Sequence, residues 1–213
     1  AVNVDAAEAN ETIRPFLPLA ETLGRLYGSL HKSSPDSFEI CCQGEIAEYD
    51  TRILGLAVLK GFFSNLTDDP VSYVNAPSMA KAAGITVRET SNPDTDEYVN
   101  LITLRCDNHK SIAGTLVGRR SEQRIVEIDG HDFDVPPAEH MLVISNDDRP
   151  GVIGTVGVLL GDAGVNIADM DVGRVKEAGT AVMLLATTAE VPTEVVDALR
   201  GAPGILSVDV LDG

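Results

Sequence analysis

The chain has 213 residues, and its 33 acidic against 16 basic side chains give a formal net charge of −17. Nineteen of the acids are aspartate and only five of the cations are lysine. Such a charge argues against nucleic acid as a partner, because phosphate binding needs a basic face, and against an anionic membrane surface, and no apolar run approaches the roughly 20 residues that span a bilayer. Hydrophobic residues at 44%, with 4% aromatics and no tryptophan, build an aliphatic core spread over one or two domains at roughly 100–200 residues each. Cys41 and Cys42 are adjacent and Cys106 is distant; three such thiols cannot all pair within one chain, so a reduced, cytoplasmic compartment is the simplest reading. The opening Ala1-Val2-Asn3-Val4 carries no initiator methionine, apolar signal region or Arg-rich leader, and reads as part of something longer.

The first expected helix runs from Arg14 to Leu30, with Phe16, Leu19, Leu23, Leu26, Tyr27 and Leu30 at three- and four-residue steps and Pro15 and Pro18 confined to its start. Lys32 to Asp36 breaks it. Phe38, Ile40 and Cys42 then alternate with polar partners as a strand would, continuing through Ile46 toward Tyr49. A second helix follows from an Asp50 cap through Phe62, and a third from Asn75, with Pro77 in its first turn and Gly84 closing it. Strands are expected at Thr86 to Thr90, Tyr98 to Cys106, Ser111 to Gly118, Arg124 to Ile128 and Asp132 to Val135, with turns at Asn92-Pro93, Asp107-Asn108 and Asp129-Gly130. The last pair suits a type I′ hairpin, which needs positive φ twice. This block reads as α+β with an antiparallel sheet.

Pro136-Pro137 punctuates the chain. Beyond it come a strand at Met141 to Ser145, a loop at Asn146 to Gly151, a helix at Val152 to Ala163 ended by Gly164, and a strand from Val165 to about Val172. A turn at Lys176 to Gly179, a strand at Ala181 to Thr187, a helix at Pro192 to Leu199 and a strand at Ile205 to Leu211 complete it. Strand, helix, strand, strand, helix, strand is the ferredoxin-like βαββαβ layout, a four-stranded antiparallel sheet with both helices on one face.

That layout hosts many functions, so chemistry has to come from its loops. Asp148-Arg149-Pro150-Gly151 starts the first helix of this block, with Pro150 near the first helical position and Gly151 permitting close approach. Exposed N–H groups there suit a carboxylate, Asp148 suits an ammonium group, and Asn166 adds an amide near a helix end. Together these groups can hold a zwitterion. The plainer readings stand beside it: Asp148 as an N-cap and Asn166 as a turn residue after Gly164.

The run Asp148-Arg-Pro-Gly-Val-Ile-Gly154, followed by Ala163-Gly-Val-Asn-Ile167, is similar to the ACT domain, a small-molecule regulatory module. Arg14-Pro-Phe-Leu-Pro-Leu-Ala-Glu-Thr-Leu-Gly24, Gly44-Glu-Ile-Ala-Glu48, Val74-Asn-Ala-Pro77 and Gly114-Thr-Leu116 resemble the intervening, allosteric-substrate-binding domain of the D-3-phosphoglycerate dehydrogenase family. The resemblance implies three segments: residues 1–13 as the end of a catalytic part, 14–137 as the intervening domain and 138–213 as the ACT domain. It implies the regulatory half of a long-form enzyme of serine synthesis, a homo-oligomer that binds L-serine between two ACT modules and is slowed by it. The serine-binding set carried over is Asn146, Asp148, Gly151 and Asn166, with Asn146 standing where many members carry histidine or tyrosine. No catalytic residue, metal or cofactor falls on this chain; NAD is expected only in the full-length enzyme, so whether the chain itself counts as an enzyme stays open. Two alternatives share these domain types: the small subunit of an iron–sulfur L-serine dehydratase, whose cluster the three cysteines lack the spacing to hold, and a stand-alone amino-acid sensor.

A second set, Arg124 and His131 flanking the Asp-Gly turn with Arg119 and Arg120 before it, is a concentration of cations in an acidic chain. It reads either as a site for an anionic effector or as a solvated turn. His131-Asp132-Phe133-Asp134, with His140, has a metal-like composition but no tetrahedral spacing. The acidity divides as 21 acids against 12 bases over residues 1–138 and 12 against 4 over 139–213, −9 and −8. A uniform, aspartate-rich surface of this kind points to a high-salt cytoplasm, where screening relieves self-repulsion.

Overall fold

In the computed structural model, which describes residues 11–31, 35–67, 69–95, 97–106, 110–175 and 179–212, the chain separates into two units, 1–130 and 131–213. The opening segment and the breaks expected at Lys32, at Asp107-Asn108 and at Lys176 lie outside the described residues.

In the first unit a 3-10 turn, Arg14–Phe16, leads into α1, Leu17–Leu30. Its prolines sit in the first turns, where a missing N–H costs no hydrogen bond, and Leu19, Leu23, Leu26 and Tyr27 are buried. Strand β1, Ser37–Gly44, precedes α2, Arg52–Ser64. The two helices cross with their backbones in contact: a Cβ on Gly24 would lie 2.0 Å from the Val58 carbonyl oxygen, and one on Gly61 1.9 Å from that of Glu21. Lys60 Nζ spans the same crossing to both carboxylate oxygens of Glu21 at 2.8 Å. Tyr27, Phe38 and Phe62 fill the space beside it edge to face, with the Phe38 and Phe62 centroids 4.8 Å apart.

Helix α3, Ala76–Ala82, and strands β2, Thr86–Asn92, β3, Asn100–Cys106, β4, Ser111–Val117, and β5, Glu122–Ile128, follow, and the strands stand in the order β2-β1-β3-β4-β5. The antiparallel expectation holds for β1–β3, β3–β4 and β4–β5. It fails for β1–β2, which pair in parallel, because α2 and α3 lie between them and supply the long crossover that parallel neighbours need. Two local expectations also change. The first strand stops at Gly44, and Glu45–Glu48 form a 3-10 turn that buries Ile46. Thr51, not Asp50, is the N-cap of α2; Asp50 instead pairs with the Arg52 guanidinium and accepts its backbone N–H at 3.2 Å. Asp129 and Gly130 take φ of 49° and 79°, the two positive angles of the expected turn.

The second unit contains β6, His131–Val135, β7, His140–Asn146, α4, Val152–Asp162, β8, Ile167–Val175, β9, Thr180–Thr187, α5, Thr193–Arg200, and β10, Ile205–Asp212. Its sheet has the order β10-β7-β9-β8 with every neighbouring pair antiparallel, the ferredoxin-like arrangement expected. Leu142, Ile144, Val156, Leu160, Met183, Leu185 and Leu199 form the core under α4 and α5. On β8, Asp171 Oδ2 accepts the Asp134 N–H of β6 at 2.9 Å, and Gly173 leaves the room that β6 occupies, since a Cβ there would meet His131 Cβ at 2.9 Å. No helix among the described residues is long and apolar enough to cross a membrane.

Candidate effector-binding site

β7 ends at Asn146, whose side chain ties the sheet to the loop that follows. It is buried, its Nδ2 donating to the Ala181 carbonyl of β9 at 3.1 Å and its Oδ1 accepting the Asp148 N–H at 2.9 Å. The short turn so formed puts Asp148 at φ 44° and Gly151 at φ 95°, left-handed angles that aspartate tolerates and glycine adopts freely. α4 starts only after Gly151, which is its N-cap, so Pro150 lies before the helix and not at its first position, and no side chain caps it. The Val152 N–H reaches the Arg149 carbonyl at 3.3 Å and that of Thr155 the Gly151 carbonyl at 2.9 Å. The N–H groups of Ile153 and Gly154 have no partner among the described residues, which leaves the positive end of the helix open toward an anion. Asp148 is exposed beside it. Asp147 is hydrogen-bonded by the Arg149 guanidinium, which holds its carboxyl below the usual range.

Asn166 is exposed, and its side-chain amide has no hydrogen-bond partner among the described residues, while its carbonyl accepts the Thr188 N–H at 3.0 Å. The register separates it from the loop. Asn146 stands opposite Ala181 at one end of β9, and Ile167 opposite Thr187 at the other, so Asn166 and Asp148 lie roughly 20 Å apart at about 3.3 Å per strand residue. The helix end near Asn166 is the C-terminal end of α4. One chain therefore does not bring the ammonium-binding and amide groups together. Between them runs the outer face of α4, where a Cβ on Gly154, Gly157 or Gly161 would meet nothing within 4 Å and where Val158 is 60% and Ile153 43% exposed.

A model of the D-3-phosphoglycerate dehydrogenase intervening domain matches residues 12–129, and a model of the ACT domain matches residues 140–204. The chain belongs to the D-3-phosphoglycerate dehydrogenase intervening-domain family. D-3-phosphoglycerate dehydrogenase of Mycobacterium leprae is 35% identical over 216 residues, covering 100% of this chain and 41% of that protein. The Synechocystis enzyme of that name is 37% identical over 211 residues, 96% of this chain and 38% of that one. The chain thus spans about two fifths of the length of these relatives. Among solved structures, the ACT domain from GTP pyrophosphokinase of Chlorobium tepidum covers 34% of this chain and 95% of its own at 19% identity and TM-score 0.29.

A dehydrogenase of this family implies NAD, and the described residues do not fit it. A dinucleotide needs a glycine-rich turn from a parallel strand into a helix N-terminus. The parallel strand β1 is followed instead by Gly44 and a 3-10 turn carrying the carboxylates Glu45 and Glu48. Among the cation set, Arg119 and Arg120 are exposed in the β4–β5 turn, Arg124 on β5 faces Glu122 at 3.6 Å, and His131 begins β6 in the second unit. No group of three or more His, Cys, Asp or Glu among the described residues is placed to hold a metal. Burial pushes the Cys42 thiol up to about 12, so it stays protonated and inert as nucleophile or ligand. Sequence reasoning missed Gly204, whose carbonyl accepts the Asp147 N–H at 3.0 Å; its only signal was a Pro-Gly turn.

Proposed function

We propose that this chain is the regulatory part of a long-form D-3-phosphoglycerate dehydrogenase, which takes L-serine at its ACT domain as feedback inhibitor and works as a homo-oligomer. The order of the two matched domains supports the enzyme class, and hydride transfer with NAD belongs, in this reading, to other parts of such an enzyme. One observation carries the effector site: the open first turn of α4 with Asp148 lies at one end of an exposed, glycine-lined helix face, and Asn166 lies at the other. Two copies paired with their α4 helices antiparallel about a two-fold axis bring Asp148 of each to Asn166 of the other and make both sites equivalent. The ammonium group of serine then meets Asp148, its carboxylate the N–H groups of Ile153 and Gly154 beside Gly151, and Asn166 of the second copy closes the site with its amide.

Subunit mixing tests this. Asp148→Ala and Asn166→Ala are each expected to abolish calorimetric heat with L-serine. An equimolar mixture, re-equilibrated, recovers about a quarter of it, because about half of the pairs are mixed and each mixed pair keeps one of its two sites with both residues intact. Heat at millimolar serine that is missing from the unaltered chain, or missing from the mixture, counts against the reading.

A further inference from the structure

We infer that Asn146 is a positioning residue of the effector site: its buried amide holds the β7–α4 loop in the shape that presents Asp148 and the first turn of α4, without itself touching the ligand. The inference rests on the reading of that loop as the serine site. Asn146 is 3% exposed. Its side chain spans two segments, donating from Nδ2 to the Ala181 carbonyl at 3.1 Å and accepting at Oδ1 from the Asp148 N–H at 2.9 Å. A primary amide supplies a donor and an acceptor at once; a carboxylate of the same shape supplies acceptors only. Both bonds shape the loop: the one to Ala181 anchors the amide to β9, and the one from the Asp148 N–H helps to keep Asp148 at φ 44°, an angle that aspartate visits more readily than most residues.

A second clamp acts on the next residue. The Asp147 N–H donates to the Gly204 carbonyl at 3.0 Å, and Gly204, at φ 89°, approaches so closely that a Cβ would lie 2.8 Å from both Asp147 Oδ1 and Val152 Cγ2. The loop is thus tied to β9 on one side and to the turn before β10 on the other. Neither Ala181 nor Gly204 offers a side chain that a ligand would use. Their contribution is to fix the loop before the ligand arrives, so that less ordering is needed on binding.

Asn146→Asp in the full chain is the test, because its protonation state decides whether the clamp exists. Ionised, the new carboxylate still accepts the Asp148 N–H but cannot donate to the Ala181 carbonyl, so the tie that holds this acceptor against β9 is lost and the loop opens more often; protonated, it makes both bonds. Burial raises the pH at which such a carboxyl ionises. In the ligand-free protein at pH 8, the Asp148 N–H is expected to exchange with solvent about tenfold faster in Asn146→Asp than in the unaltered chain, and L-serine to bind about tenfold more weakly. Both gaps close toward pH 5. Gly204→Ala, which alters no polar group, weakens serine at every pH and supplies the test independently if Asn146→Asp does not fold. Equal Asp148 exchange in the two proteins at pH 8, a serine deficit that does not recover in acid, or unaltered serine binding by Gly204→Ala overturns the inference. The exchange measurement needs no serine, so a chain that binds no serine but shows the pH-dependent exchange loses the effector reading and keeps the clamp.

Discussion

On α1 and α2, a Cβ at Gly24 or Gly61 would lie within about 2 Å of a backbone carbonyl oxygen of the opposing helix. On α4, Cβ atoms at Gly154, Gly157 and Gly161 would meet nothing within 4 Å. Both regions use small residues at helical spacing on one face. In the first unit that face is filled by another helix of the same chain, and the aromatic residues around it complete a closed core. In the second unit the equivalent face stays open with Val158 and Ile153 exposed along it, while the core of α4 lies on its other side at Val152, Val156 and Leu160. A glycine-lined face is therefore an internal contact in one place and an exposed surface in the other; only the presence of a neighbour distinguishes them.

Gly61→Ala is the hardest blow to that contrast. Its methyl group has no room, so the helices must separate, and overpacking of this kind costs about 1–3 kcal/mol; calorimetry should show the first unit melting several degrees lower. An unchanged transition would mean that the helices do not cross backbone to backbone. Asp129→Asn probes the closed region through its charges and has a smaller effect, about 1 kcal/mol at neutral pH. Burial alone would raise the Asp129 carboxyl, but His31 Nε2 at 3.3 Å and hydrogen bonds from the Ser111 N–H and Lys110 outweigh it and hold the group below its ordinary value. A depressed native value means stability that is fully present above the unfolded value of about 3.9 and is lost as pH falls through the native one. The gap between variant and parent in urea melts should accordingly stay level above pH 5 and close below pH 4; a gap that widens in acid contradicts the assignment. Val158→Asp has the smallest effect on folding, within about 0.5 kcal/mol of the parent, because the side chain is 60% exposed. Sedimentation velocity should nonetheless show its pairs dissociating. A variant that stays paired, or that melts early, would make the α4 face something other than a mating surface.

Much of the second unit was legible from one sequence. The continuous apolar runs at Met141 to Ser145 and Ala181 to Thr187, the four-residue steps of α4 and the Gly164 stop are local signals, and each local signal was met by the same local structure. Asp148 and Asn166 were legible as polar residues at element ends for the same reason. What they do relative to each other was not. Periodicity carries no information on register, and the register of β8 and β7 against β9 sends the two residues to opposite ends of the sheet. Burial was equally hidden at Asn146: an asparagine before a loop looks like a ligand contact, and only the neighbouring strand shows that its amide is already engaged.

By itself, the sequence determined the two families, the order and kind of nearly every element, and a charge that disfavours nucleic acid and an anionic membrane surface. These depend on residue type and spacing along one segment, where propensity, capping and hydrophobic period act. The parallel pairing of β1 with β2, the closure of one glycine face and openness of the other, and the placement of Asp148 and Asn166 at opposite ends of α4 were decided by tertiary structure. They depend on which distant segments come to lie side by side, and that is a balance of burial over the whole fold that no local pattern records.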